Sequence, residues 1–305
     1  MKKLIFTYIF LHGFLLAYSQ QIPMHSQFMF NKFLINPACT GTEENLPVQL
    51  AVREQWIGFA NAPSSQFISA HQLFDDYSMG LGLSMFLDKF AHERQFGFKL
   101  SYSYILPVYD ETLLSMGLSF QSSWISYDYR EIIALDYDDP SLYMGWQSRF
   151  FPQADFGLYL FNEIYNVGFS VNQLIPANVK VRNQDIIMKK LIPHYTLFGS
   201  YRFNDIATDL DIESSLLFKT SFKAPSQLDI NARLIYEKNY WYGLSLRTSG
   251  DIVNMIGLRY KDMSIGFSVD FATNRLFRYQ SGTIEAYFTY HIPVKIKIES
   301  FPKLW

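Results

Sequence analysis

From Phe96 the apolar positions alternate without a slip. Phe96, Phe98, Leu100, Tyr102, Tyr104 and Leu106 share one parity, and Gln95, Gly97, Lys99, Ser101 and Ser103 take the other. After an interruption at 107–111 the pattern restarts, with Leu114, Met116, Leu118 and Phe120 alternating with Ser115, Gly117, Ser119 and Gln121. A strict period of two predicts strands with one apolar and one polar face, and two such runs joined by a short turn predict an antiparallel hairpin. The same alternation recurs at 48–55, 65–72, 80–87, 152–161, 164–173, 193–203, 208–219, 227–237, 240–247, 252–260, 263–271 and 283–292, which makes about fourteen strands.

The connections decide what these strands build. If the loop at 57–64 is placed on the outer side, the long connections 124–151 and 174–192 fall on that side too. The other side holds only short ones, at 73–78, 107–111, 162–163, 204–207, 238–239 and 261–262. A soluble sandwich has no reason to sort its loops by parity, whereas outer-membrane barrels do, with apolar residues turned to lipid and polar ones to the lumen. The expected fold is therefore an all-β transmembrane antiparallel barrel of about fourteen strands over residues 47–292, in the cell outer membrane. Strands near ten residues long suit a tilted crossing of the bilayer.

Residues 20–46 show no sustained alternation; short apolar pieces end at Asn36-Pro37, a turn signal, and predict an N-terminal arm packed in or under the barrel mouth. Ahead of it Lys2 and Lys3, an apolar stretch from Leu4 to Leu16 and the small residues around Ala17 and Ser19 mark 1–19 as a secretory signal peptide. Residues 293–305 are left as a C-terminal periplasmic tail.

Composition narrows the function classes. Aromatic residues make up 18% of the chain, with 28 Phe and 21 Tyr, which suits the interfacial girdles of a membrane barrel. A net charge of -2 provides no basic footprint for nucleic acid. The single cysteine, Cys39, excludes an internal disulfide and a cysteine-based zinc cluster. His71, His194 and His291 fall on separate strands without metal-ligand spacing, and no nucleophile elbow or phosphate loop appears, so neither catalysis nor a cofactor is expected. An outer-membrane lipid hydrolase would need an exterior Ser–His pair, which the pattern does not supply. The acidic run at Asp136, Asp138 and Asp139 reads as a solvated loop rather than a cation site.

The lumen-facing parity carries charges of both signs: Arg53, Lys99, Asp155, Asp229, Arg233, Arg247, Arg259, Asp270 and Glu285. It also carries most of the glycines, which either leave room for a guest chain or relieve strand curvature. Fourteen strands enclose more space than wall side chains fill. A wall of glycine, serine, Tyr159, Tyr287 and paired charges suits a polypeptide guest, either this chain's own arm or the tail of a partner.

Particular motifs add a resemblance. They are Gln27-Phe28-Met29-Phe30-Asn31, Ile35-Asn36-Pro37-Ala38 with Gly41, Arg53-Glu54-Gln55-Trp56-Ile57-Gly58-Phe59, Ala62-Pro63, Ser69-Ala70-His71, Gly80-Leu81-Gly82-Leu83 with Asp88, and Tyr102-Ser103-Tyr104. On these the chain resembles the PorP/SprF family, outer-membrane proteins of the type IX secretion and gliding machinery of Bacteroidetes. It departs from the family pattern at Lys32, where proline is frequent, and at Cys39, where tyrosine is. The resemblance implies a non-enzymatic barrel that assists secretion and surface anchoring of a large adhesin, holding that adhesin's C-terminal region and working with periplasmic components of the machinery amid outer-membrane lipid. It marks Asn36, Pro37, Arg53, Gln55, Trp56, Gly58, Ser69 and His71 as a partner or structural motif, with Arg53 expected to hold acceptors of the arm at Asn36-Pro37. The lumen-facing Asp229, Arg233, Arg247, Arg259, Asp270 and Glu285 are then expected to contact the partner's tail. The alternative is a diffusion porin or a transporter of hydrophobic solutes.

Overall fold

An alternating chain in lipid must pair every backbone group and can leave no sheet edge, so its strands close on themselves. The computed structural model describes residues 24–74, 78–109, 111–128, 145–180, 187–274 and 278–294. The signal peptide, the first residues of the arm, the acidic run at 136–139 and the tail from 295 onward lie outside them. The strands are β1 (Leu46–Glu54), β2 (Ser64–Phe74), β3 (Met79–Phe90), β4 (Glu93–Tyr109), β5 (Thr112–Asp128), β6 (Trp146–Phe161), β7 (Tyr165–Asn172), β8 (Ala177–Lys180) and β9 (Ile187–Leu191). They continue as β10 (His194–Ala207), β11 (Leu210–Thr220), β12 (Gln227–Tyr236), β13 (Tyr240–Arg247), β14 (Asp251–Tyr260), β15 (Met263–Ala272) and β16 (Thr283–Ile292).

Fourteen of these, all but β8 and β9, form one closed barrel in which β1 meets β16. Neighbours pair antiparallel in sequence order, except that β7 pairs directly with β10 because the β8–β9 hairpin stands apart. The closing seam runs from Leu46↔Ile292 to Glu54↔Ile284 in unbroken register.

The alternation sets the polarity of the wall. Leu100, Leu118, Leu246 and Ile256 are exposed to between 53% and 59%, while Ser103, Ser115 and Ser170 are fully buried in the lumen. Large apolar residues outside and small polar ones inside is the arrangement lipid demands.

Two connections differ from the expected long loops. β5 extends to Asp128 and β6 begins at Trp146, so much of the span 124–151 is wall rather than loop. The connection 174–192 holds the β8–β9 hairpin, which folds back over the lumen: Val179 and Leu191 pack on Ile125 and Phe151 of the inner wall. Lys189 reaches Glu93 at 2.5 Å and Gln95 at 3.1 Å. By the loop asymmetry of outer-membrane barrels this end faces outward, and the hairpin covers part of it.

Candidate functional site

The arm occupies much of the lumen. Its visible part begins at Met24, descends through three single-turn 3-10 helices at Phe28–Phe30, Lys32–Leu34 and Pro37–Cys39, and enters β1 at the inner end. Asn36 starts the last turn: its Oδ1 accepts from the Ala38 N–H at 2.9 Å, and Pro37 follows at the first helical position, where a missing N–H costs nothing. Phe28, Met29, Phe33, Ile35, Ala38 and Cys39 are buried between the arm and the wall.

Two polar anchors hold the arm on opposite walls. The outer one lies on β1, β13, β15 and β16. The Glu285 carboxylate accepts from the N–H groups of Ser26 and Gln27, both at 2.9 Å. Ser26 Oγ donates to Asp270 at 2.7 Å and accepts from Arg53 at 2.7 Å and Arg247 at 3.2 Å. Arg53 is paired with Asp270 at 2.7 Å and Glu285 at 3.0 Å, and Arg247 with Asp229 at 3.1 Å and Asp270 at 3.3 Å. Charges this deeply buried persist only when each is paired and hydrogen-bonded.

The second anchor lies on β4–β7. Asn36 Nδ2 donates to the carbonyls of Leu158 at 2.9 Å and Phe169 at 3.3 Å. Ser170 donates to Ile35 O at 2.7 Å, Lys99 to Leu34 O at 3.2 Å and Ser103 to Thr40 O at 2.6 Å. Lys99 is itself held by Asp155 at 3.5 Å. Here the glycines find their reason. A Cβ at Gly117 would collide with the Ala38 backbone, one at Gly157 with the Asn36 side chain, and one at Gly80 with Thr40 O. At these positions the lumen wall is bare so that another backbone can lie on it.

The sequence-marked residues divide into three groups. Arg53, Ser69 and His71 touch the arm, Ser69 accepting from Asn31 at 2.8 Å and His71 from the Gly41 N–H at 3.1 Å. Arg53 does not reach Asn36-Pro37, however. It stands near the outer end of β1 and meets Ser26, while Asn36 lies against β6 and β7. Gln55, Trp56 and Gly58 shape the outer loop instead: Gln55 N donates to Pro63 O at 2.9 Å, Trp56 N to Thr283 Oγ1 at 3.2 Å, and Gly58 takes φ +92.

Among the lumen charges, Asp229, Arg247, Asp270 and Glu285 belong to the outer anchor and its ion pairs. Arg233 pairs with Glu213 at 2.9 Å and lies 4.5 Å over the Phe30 ring. Arg259 is half-buried near the inner end of β14. Two participants escaped sequence reasoning. Ser26 sits in the patternless arm, where no period singles it out. Glu213 lies between Asp211 and Ser215 on the lumen parity of β11, and that alternation would have found it.

Among the described residues no cluster of His, Cys, Asp or Glu is arranged to hold a metal ion. Comparison with known proteins gives a match to the family described as type IX secretion system membrane protein PorP/SprF over residues 17–290. No curated protein matches the chain. Two solved structures share the architecture at low identity. The CymD monoaromatic hydrocarbon channel is similar at 10% identity and a TM-score of 0.54, over 90% of this chain and 95% of that one. A Pseudomonas aeruginosa FadL homologue is similar at 11% identity and a TM-score of 0.51, over 88% and 95%. Both are likenesses of fold.

Proposed function

Because the chain belongs to this family of type IX secretion membrane proteins, we propose that it assists secretion and surface anchoring of a large adhesin in the outer membrane by holding that adhesin's C-terminal region in its lumen. What supports this reading is the equipment of the inner wall for gripping polypeptide backbone. Glu285 takes two successive N–H groups, while Ser103, Lys99 and Ser170 each take a carbonyl. A wall for small solutes needs no such spacing of donors and acceptors. The partner's tail enters from the outer end and takes over the bonds now made by Ser26 and Gln27, while the deeper anchor keeps the rest of the arm in place. Periplasmic components of the machinery engage the inner turns.

The diffusion-porin reading is disfavoured by a lumen crossed by its own chain. The test is co-purification of the barrel with a large surface protein, with crosslinks from photoreactive residues at Asp229, Arg233 or Glu285 to that protein's tail. An open, porin-like conductance that persists with the adhesin present would sink the reading.

A further inference from the structure

The membrane-facing side of the outer rim changes character within one row of side chains. On β4 the outward positions are apolar or aromatic from Leu106 up to Phe96. Roughly ten residue steps of about 3.4 Å, tilted by roughly 40°, stand about 26 Å tall, which matches the roughly 25 Å apolar band of outer-membrane barrels. The top row of that band crosses four strands in register at Leu87, Phe96, Trp124 and Phe150. Trp124 packs on Phe96 and Phe150 with centroids 6.0 and 5.1 Å apart, an aromatic girdle at the lipid boundary.

The next outward row is polar, and its height places it among the headgroups of the outer leaflet. Lys89 and Arg94 stand directly opposite each other on β3 and β4, both exposed. Arg94 is opposite Ser126, and Ser126 opposite Ser148, to which its hydroxyl donates at 3.1 Å. Like charges facing across two strands repel. Among the described residues neither cation forms an ion pair; the contact Arg94 makes is with the Trp146 ring, over which its guanidinium lies at 5.8 Å. The acids around them do not cancel the pair. Glu93 points to the lumen side and holds Lys189 at 2.5 Å. Glu54, two strands from Lys89, accepts from Ser64 Oγ at 2.6 Å, and Asp128 lies one outward row above Ser126.

We propose that Lys89 and Arg94 hold the phosphate of a glycolipid in the outer leaflet. The phosphate takes charge-assisted hydrogen bonds from both cations and relieves their repulsion. The acyl chains lie on the row of Leu87, Phe96 and Trp124 directly below, and the sugar meets the hydroxyls of Ser126 and Ser148. A lipid is the fitting source of this phosphate, because its chains rest on the girdle and hold its headgroup at the height of the pair. The site is on the outside of the wall, apart from the lumen and its arm, so its failure leaves the anchoring role untouched.

The test is native mass spectrometry of the detergent-purified full barrel, titrated with phosphorylated lipid A and with the same lipid dephosphorylated. The phosphorylated form is expected to bind at least about tenfold more tightly, as two interfacial cations provide. The double variant Lys89→Gln, Arg94→Gln is expected to lose that preference. A charge-matched control, Lys190→Gln with Lys223→Gln, removes two exposed cations elsewhere at the outer end and is expected to keep it. Unchanged heat-modifiable migration reports that each barrel is intact. Inorganic phosphate at millimolar concentration is expected to leave the lipid bound. Equal binding of the two lipids, equal loss in both double variants, or displacement by inorganic phosphate would overturn the proposal.

Discussion

Arg53 and Glu285 face each other across the seam that closes the barrel, paired in register and joined at 3.0 Å, and both also hold Ser26 of the arm. The first and last strands thus share a buried ion pair with the plug.

Arg53→Ala leaves Asp270 and Glu285 facing each other without their common cation. Breaking one partner of a buried pair costs about 3–5 kcal/mol. The backbone ladder of the seam remains, so the variant is expected to insert and migrate as a barrel while its arm becomes accessible. Limited proteolysis in the outer membrane checks this: cleavage within the arm of the variant but not of the wild type is the expected result, and equal resistance would contradict it.

Cys39 offers a direct probe, because it is the chain's only cysteine and is buried at the end of the arm's last turn. Gly157→Val inserts side-chain atoms where Asn36 now lies. The wild-type thiol is expected to resist a maleimide in the folded barrel, and the variant thiol to react at least about tenfold faster, since local opening weakened by ~1.4 kcal/mol changes the open population by that factor. Mass spectrometry of the labelled protein reads the outcome.

In planar bilayers the intact protein is expected to conduct poorly, and a form lacking residues 24–41 to conduct as a wide pore, because fourteen strands alone do not fill their lumen. Equal conductance of the two would mean that the arm does not block passage.

The mature protein is expected to fractionate with the outer membrane and to show heat-modifiable migration on gels. The large apolar residues on the outer face of the wall need lipid, and closure leaves no edge to exchange. Recovery from a soluble periplasmic fraction would contradict the fold.

The barrel was legible in the sequence because its signal is long and redundant. Each strand repeats the same two-residue period, so the fourteen expected spans match the fourteen that close. What stayed hidden depends on depth and direction rather than period. Nothing local states that Trp124 and Ile125 continue a strand rather than begin a loop, since rim residues alternate less sharply. Arg53 was readable as a lumen cation, yet its partner in the arm was misplaced. An arm made of single 3-10 turns carries no repeat from which to measure how far it has descended. The two readings of the glycines could be separated only by seeing Gly80, Gly117 and Gly157 against another backbone.

The position of Arg53 at the seam has a consequence for biogenesis. The outer anchor draws on β1, β13, β15 and β16, strands from both ends of the chain, and is therefore complete only once the ring is joined. An unsealed sheet offers Ser26 and Gln27 the contacts of Glu285, Asp270 and Arg247 without the Arg53 bridge between them. Sealing and plugging are accordingly coupled through Arg53, and a barrel that fails to close should also hold its plug less tightly.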